Sequence, residues 1–373
     1  MLITMAAACC AGTAVAASSS ALAGALQTIR AVGPEGRGNA EAAEAWKRLS
    51  AADGSALPTV LAGMDGANEL ALNWLRAASD AIAARELAAG RKLPVKALVR
   101  FIGDTRHHPR ARRLAYELVQ RADPEAARAL LPGMLDDPSA ELRRDAVQRE
   151  VEAVAALRQA GNTNQAVPRL RTALRSAREV DQVEAIAKQL RELGHPVELP
   201  SVFGWVSTWK VIGPFDSTGG AGFEKVYPPE AGIDLNAEYD GTSGKVRWQD
   251  LQAHGDYGLV DFNKPLGALK SVAGYACTEV HLEKGRPVEV RLGCKNAWKI
   301  WVNGEFLFGR DEYHRGVEID QYRMNAQLKP GRNVILVKLC QNEQTEDWTK
   351  EWEFQLRITD SLGTPIVTMA NKN

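Results

Sequence analysis

Along residues 40–193 the apolar side chains recur at intervals of three and four, the spacing of one face of an α-helix. In ELRRDAVQREVEAVAAL, for example, Leu142, Ala146, Val147, Val151 and Val154 fall on one stripe. Past residue 203 the period changes. The segments KVRWQDL, GLVDF, YACTEVHL, VEVRLGC, AWKIWV, EFLFG, NVILVKLC and EWEFQLRITD are short and rich in β-branched and aromatic residues. Gly, Pro or Asn-Gly turns separate them and no helical pattern intervenes, which predicts an antiparallel β-sandwich rather than a parallel sheet. The pattern thus predicts an α-helical array over 40–194, a linker over 195–202 and a sandwich over 203–368, with β1 expected within SVFGWVSTWKVIGPF (201–215).

Turn chemistry sharpens the helical half. Asp123-Pro124-Glu125 places a capping acceptor before a proline suited to a first helical turn, and Asp137-Pro138-Ser139-Ala140-Glu141 is expected to repeat the device. Arg112-Arg113-Leu114-Ala115 recurs as Arg143-Arg144-Asp145-Ala146. A short helix, an Asp-Pro turn and a long helix with Arg and Ala on one face resemble HEAT repeats. That resemblance implies stacked helices with a concave partner-binding surface, and arginines that bridge neighbouring repeats. The segment NQAVPRLRTALRSAREVDQVEAIAKQLRELG reads as a further helix pair broken at Val180-Asp181. His107 and His108 are adjacent and cannot face one another, so they read as a turn rather than a metal site.

Composition follows the same break. Residues 1–200 hold 46 of the 56 alanines, whereas residues 201–373 hold seven of nine Trp, six of seven Tyr and seven of eight Phe. Charge does not split: 46 basic and 46 acidic side chains give a net charge of zero, and no nucleic-acid partner is expected. Residues 1–29 carry no charged side chain and contain two small-x-small sites, Ala14-Val15-Ala16 and Ala21-Leu22-Ala23. Residues 1–23 therefore read as a signal peptide, followed by a linker over 24–39, and the protein is expected to be exported, periplasmic or extracellular. The alternatives are an uncleaved N-terminal anchor and a plain apolar tail. No other stretch is long enough to span a bilayer.

Three cysteines lie beyond that segment: Cys277, Cys294 and Cys340. An odd number is no disulfide framework, and no CxxC or HxxxH spacing suggests zinc. Parity points Cys294 inward with Val288, Val290 and Leu292, and Cys277 to the opposite face. Nucleophile elbow, HExxH, P-loop and dinucleotide motifs are all absent, so no enzyme is expected.

The sharpest local signal is Val302-Asn303-Gly304-Glu305, a two-residue hairpin turn. It should set Val302 opposite Glu305, Trp301 opposite Phe306 and Ile300 opposite Leu307. With the stretches IWVNGEFLFGRDEYH and EIDQYRMNAQLKPGRNVILVKL, and the opener Trp209-x-Val211-x-Gly213-Pro214-Phe215, it resembles the galactose-binding-like jelly roll. It is especially similar to the sugar-binding domain that opens family 2 glycoside hydrolases. In those enzymes the loop after the hairpin reaches the sugar site of a neighbouring barrel, and Asp311 stands at the matching position. No such barrel is expected after this domain, so Asp311 is not expected to act as a catalytic acid.

Loop 309–322 and its surroundings supply the side chains a sugar site needs, rings for the apolar face and carboxylates for hydroxyls. The candidate ligand-binding residues are Asp311, Tyr313, His314, Asp320, Tyr322, Trp348 and Trp352. Asp311 and Asp320 are also the candidates for a structural calcium ion, which needs converging hard oxygens. Trp298 shares a face with Ile300 and Val302, whereas Trp301 is expected beside Phe306 and Phe308. Together these readings predict an exported, non-catalytic binding or scaffold protein whose jelly roll recognises a glycan or a protein partner. The alternatives are an assembly component with protein contacts only, and an accessory subunit of a glycan-active enzyme.

Overall fold

The computed structural model describes residues 20–366. Residues 1–19 of the expected signal peptide, with the site Ala14-Val15-Ala16, lie outside the described residues, whereas the second expected site, Ala21-Leu22-Ala23, falls within a helix. The chain divides into two compact units, Met1–Gln182 and Val183–Asn373. No helix among the described residues is long and apolar enough to cross a membrane.

Among the described residues the regular structure of the first unit is helical, with no strand. Helix α1 covers residues 20–30 and is followed by α2 (Asn39–Ser50), α3 (Leu57–Ala62), α4 (Glu69–Ala88), α5 (Val95–Gly103), α6 (Pro109–Ala122), α7 (Pro124–Leu130), α8 (Ala140–Gln159), α9 (Thr163–Ser176) and α10 (Val180–Glu192), in which the division falls. Residues 24–30, expected in a linker, are helical because Ala25 and Ile29 are buried with Val32 in the helical core. Long helices pack on their next-but-one neighbours: α4 on α2 and α6, and α6 on α8. Asn68 caps α4 by accepting from Ala71 N at 2.9 Å, and Asp123 caps α7 by accepting from Ala126 N at 3.0 Å.

Asp137 does something else. Helix α8 starts only at Ala140, and the Asp137 carboxylate accepts from Ser139 N at 2.7 Å and from both terminal nitrogens of buried Arg112, at 2.7 and 2.6 Å. The Arg112 Nε donates to Ile102 O at 2.7 Å, so a buried charge is fully partnered. The arginine pairs do bridge helices. Arg76, Asp80 and Glu69 of α4 pair with Glu117, Arg121 and Arg110 of α6. Arg113 of α6 pairs with Asp145 of α8, and Arg144 of α8 with Asp181 of α10. His107 stacks on Phe101 with ring centroids 3.8 Å apart and its Nδ1 lies 2.7 Å from Asp65, a packed turn.

The second unit holds the strands. Pro200 starts and Gly204, at φ +72°, ends a short helix α11 (Leu199–Phe203), so β1 (Thr208–Asp216) begins later than the sequence suggests. The others are β2 (Glu238–Gly241), β3 (Gly244–Arg247), β4 (Gln249–Gln252), β5 (Leu259–Asp261), β6 (Val272–Leu282), β7 (Arg286–Cys294), β8 (Ala297–Val302), β9 (Glu305–Arg310), β10 (Tyr322–Leu328), β11 (Gly331–Gln341) and β12 (Glu353–Thr359). The main sheets run β4-β1-β6-β11-β8-β9 and β10-β7-β12-β5, with β2-β3 a separate ribbon. Every neighbouring pair is antiparallel.

One core joins the two sheets, alternating along each strand: Val288, Val290, Leu292 and Cys294 of β7 meet Trp298, Ile300 and Val302 of β8 and Ile335, Val337 and Leu339 of β11. The parity reading of the cysteines holds for direction. Cys277 does point the other way, and it is buried as a small strand residue, as Cys294 is; on that outer face Phe223 and Tyr227 of the segment after β1 pack with Ile212, Phe215, Tyr275 and Cys340. All three cysteines are free. Lys338 anchors the cover: its Nζ donates to Phe223 O at 3.0 Å, Lys225 O at 2.7 Å and Glu230 Oε1 at 2.9 Å, with no exposed side-chain surface. Tyr275 donates to the same Glu230 oxygen.

The hairpin forms at Asn303-Gly304, both at positive φ. Val302 opposes Glu305 and Trp301 opposes Phe306, but a bulge then sets Ile300 opposite Phe308 instead of Leu307. The extra residue turns the Phe308 ring toward Trp298, 5.9 Å between centroids, and leaves Trp301 with Phe306 alone.

Candidate ligand-binding surface

Strand ends converge to build the candidate site. Asp216 of β1 lies opposite Val272 of β6, which lies opposite Gln341 of β11. Ala297 pairs with Cys340, Trp298 with Arg310, and Cys294 with Phe354. The connections 311–321 and 342–352 therefore leave the sandwich at the same end.

A buried amide cluster shapes the second connection. Gln341 Nε2 donates to Thr349 O at 2.9 Å, and Asn296 Nδ2 donates to Gln341 Oε1 at 3.3 Å and Glu351 O at 3.2 Å. Thr349 Oγ1 donates back to Gln344 O at 2.9 Å, and Lys270 Nζ donates to Thr349 O at 2.8 Å. These bonds hold the turn that carries Trp348, whose surface is 57% exposed.

The first connection meets it. His314, at φ +57°, donates its backbone N–H to Lys295 O at 2.6 Å. Its Nε2 lies 2.9 Å from Asn342 Oδ1, an acceptor, so Nε2 carries the proton. The imidazole and the Trp348 indole stand edge to face, 5.0 Å between centroids at 86°. Tyr313 packs on the outer-face core with its hydroxyl buried and unpartnered, and burial, with Asp311 and Glu343 acting the same way, holds the phenol well above its usual range. Asp311 is exposed. Lys295 pairs with Glu351 at 2.8 Å, and that hydrogen bond holds the Glu351 carboxyl below its ordinary value.

Three of the seven expected residues thus meet, Tyr313, His314 and Trp348, and Asp311 stands exposed two residues before Tyr313 on the same connection. The other three do not join them. Asp320 is a buried ion-pair hub: Arg357 donates to its two oxygens at 2.7 and 2.5 Å, and Arg291 to one of them at 2.6 Å. Burial raises its carboxyl, but the two guanidiniums outweigh that and hold it below the ordinary value. Two cations on one carboxylate repel a third, so Asp320 offers calcium nothing. Tyr322 packs against Trp298 at 4.9 Å. Trp352 is fully buried in the core, its Nε1 donating to Leu339 O at 3.3 Å. The residues that position the surface, Asn296, Gln341, Asn342 and Thr349, escape sequence reasoning; the one signal is the pair Gln341-Asn342 closing an apolar strand.

A cleft of about 530 Å³ opens toward the other strand ends, lined by Trp205, Lys210, Cys277, Glu279, Arg332 and Ile366. Burial pushes the Cys277 thiol up to about 12, so it is no nucleophile at neutral pH.

No family model matches the chain, and no curated protein matches it. Among solved structures it is similar to an anti-sigma factor domain-containing protein, with 12% identity over 43% of this chain and 44% of that one, at a TM-score of 0.25. It is also similar to the GH31 α-xylosidase from Xanthomonas citri, with 10% identity over 41% of this chain and 16% of the enzyme, at a TM-score of 0.20. The match spans less than half the length of either protein. Neither likeness is close enough to carry a functional argument.

Proposed function

We propose that this chain is an exported, non-catalytic binding protein in which a HEAT-type helical array accompanies a galactose-binding-like jelly roll, and that the jelly roll recognises a glycan through Trp348, His314, Tyr313 and Asp311. The observation that carries the reading is the exposed Trp348 indole, held by a buried amide cluster beside a hydrogen-bonded imidazole, on the connection of which Asp311 is exposed. An immobilised ring offers a face to sugar C–H groups at little entropic cost, and the carboxylate takes hydroxyl protons. A glycan array with the full chain tests it: binding that falls at least about tenfold on Trp348→Ala, without turnover of the bound glycan, supports it. A blank array, or binding indifferent to Trp348→Ala, overturns it.

A second reading, protein contacts only, is favoured by Phe306 and Phe308, which are 58% and 41% exposed on edge strand β9. On that reading Phe306→Ser with Phe308→Ser abolishes a stable complex on native gels and leaves the array result unchanged.

A further inference from the structure

One cluster in the second unit has no role in the surface above. Asp261 ends β5 and Glu353 begins β12, and the two are direct cross-strand partners. Their neighbours Val260 and Phe354 point into the inter-sheet core, so both carboxylates stand on the outer face of the four-stranded sheet. Like charges directly opposite on a sheet repel. Among the described residues no lysine or arginine forms an ion pair with either of them, and Asp261 Oδ1 is met only by Asn263 N at 2.9 Å. Burial, followed by the charges of Asp261 and Glu351, raises the Glu353 carboxyl above its ordinary value.

A third group completes the cluster. His254 lies on the connection that leaves β4 in one sheet for β5 in the other, and its backbone bridges to Leu259 in both directions at 2.9 Å. Its Nδ1 is buried with no hydrogen-bond partner. One potential ligand atom from each of His254, Asp261 and Glu353 lies within 4.8 Å of the others. Ligand atoms that share one zinc ion sit about 2.0–2.2 Å from it, so side-chain movements of under about an ångström bring all three into range.

We propose that His254, Asp261 and Glu353 form a site for one divalent transition-metal ion of the zinc class, which clips the sheet-crossing connection to the edge of the four-stranded sheet. The ion would neutralise two facing carboxylates and take a lone pair of the His254 imidazole. The imidazole decides the class. A hard cation such as calcium gains little from nitrogen, whereas zinc, cobalt and nickel accept the mixed set. Three protein ligands leave a position for water, yet the role argued here is structural, because the site joins two chain segments.

The test uses the full chain stripped with a chelator and then titrated with zinc chloride by calorimetry and thermal unfolding. The expected result is one zinc per chain and a rise in melting temperature. Glu353→Gln keeps the shape and removes the charge, so it should fold, melt in chelator at or above the wild type, and bind zinc at least about tenfold more weakly. His254→Ala should lose binding to a similar degree. No zinc uptake overturns the proposal, and so does uptake that both variants leave unchanged. Calcium that raises the melting temperature as much as zinc at equal concentration overturns the assigned class.

Discussion

Asp320 and Arg357 form a two-pronged ion pair, with Nε 2.7 Å from Oδ1 and a terminal nitrogen 2.5 Å from Oδ2. Arg291 shares the same carboxylate and also binds Glu289, and all three central side chains are at most 6% exposed. Removing one member strands buried charge. Asp320→Asn should therefore lower the unfolding free energy of the second unit by about 3–5 kcal/mol, read by denaturant titration. A loss below about 1 kcal/mol would equal that of an exposed pair and refute the hub.

The same carboxylate sets an acid limit. Its folded value is lowered relative to the unfolded one, near 3.9, so its contribution is fully present above that pH. The contribution is lost as the pH falls through the folded value. Stability measured from pH 6 down to pH 2 should decline with a steeper slope in the wild type than in Asp320→Asn. Parallel curves would show that Asp320 carries no linked proton.

Lys338 makes a separate claim on the outer face of the six-stranded sheet. Lys338→Met keeps most of the volume but leaves two carbonyls without their donor and Glu230 with only the Tyr275 hydroxyl and no cation. The expected cost is again about 3–5 kcal/mol. The more telling measurement is limited proteolysis, which should cut within 217–237 in the variant first. Cleavage elsewhere at an unchanged rate would mean that the cover is held by its aromatic packing alone.

Trp348 and Gln341 should separate binding from support. Trp348→Ala removes an exposed ring and should alter stability by no more than about 0.5 kcal/mol while abolishing glycan binding. Gln341→Ala leaves buried partners unsatisfied and should cost about 1–3 kcal/mol, weakening binding by loosening the turn beneath Trp348. If Gln341→Ala destabilises the unit yet binds normally, the amide cluster does not position the ring.

What the residues disclosed in advance follows a physical rule. Periodicity is local, so the change from helices to strands near residue 200, the inward direction of Cys294 and the Asn303-Gly304 turn were all legible. Long-range pairing was not. Nothing near Asp320 announces Arg291 or Arg357, and Trp352 sits where the pattern enters β12, so its inward direction depends on where that strand starts. Asp137 looked like a second Asp-Pro cap because its partner Arg112 lies a helix away. In the candidate surface the rings and carboxylates could be named from the sequence. The amides that hold them could not, because a buried Asn or Gln has no periodic signature.

The bulge between β8 and β9 has a consequence for the free edge of the six-stranded sheet. By placing Leu307 and Phe308 against a single partner residue, it breaks the even spacing of amide and carbonyl groups that an incoming strand would have to match. The edge can therefore display Phe306 and Phe308 to solvent while being a poorer template for strand addition. The bulge therefore favours a partner that meets those two rings through side chains over one that extends the sheet.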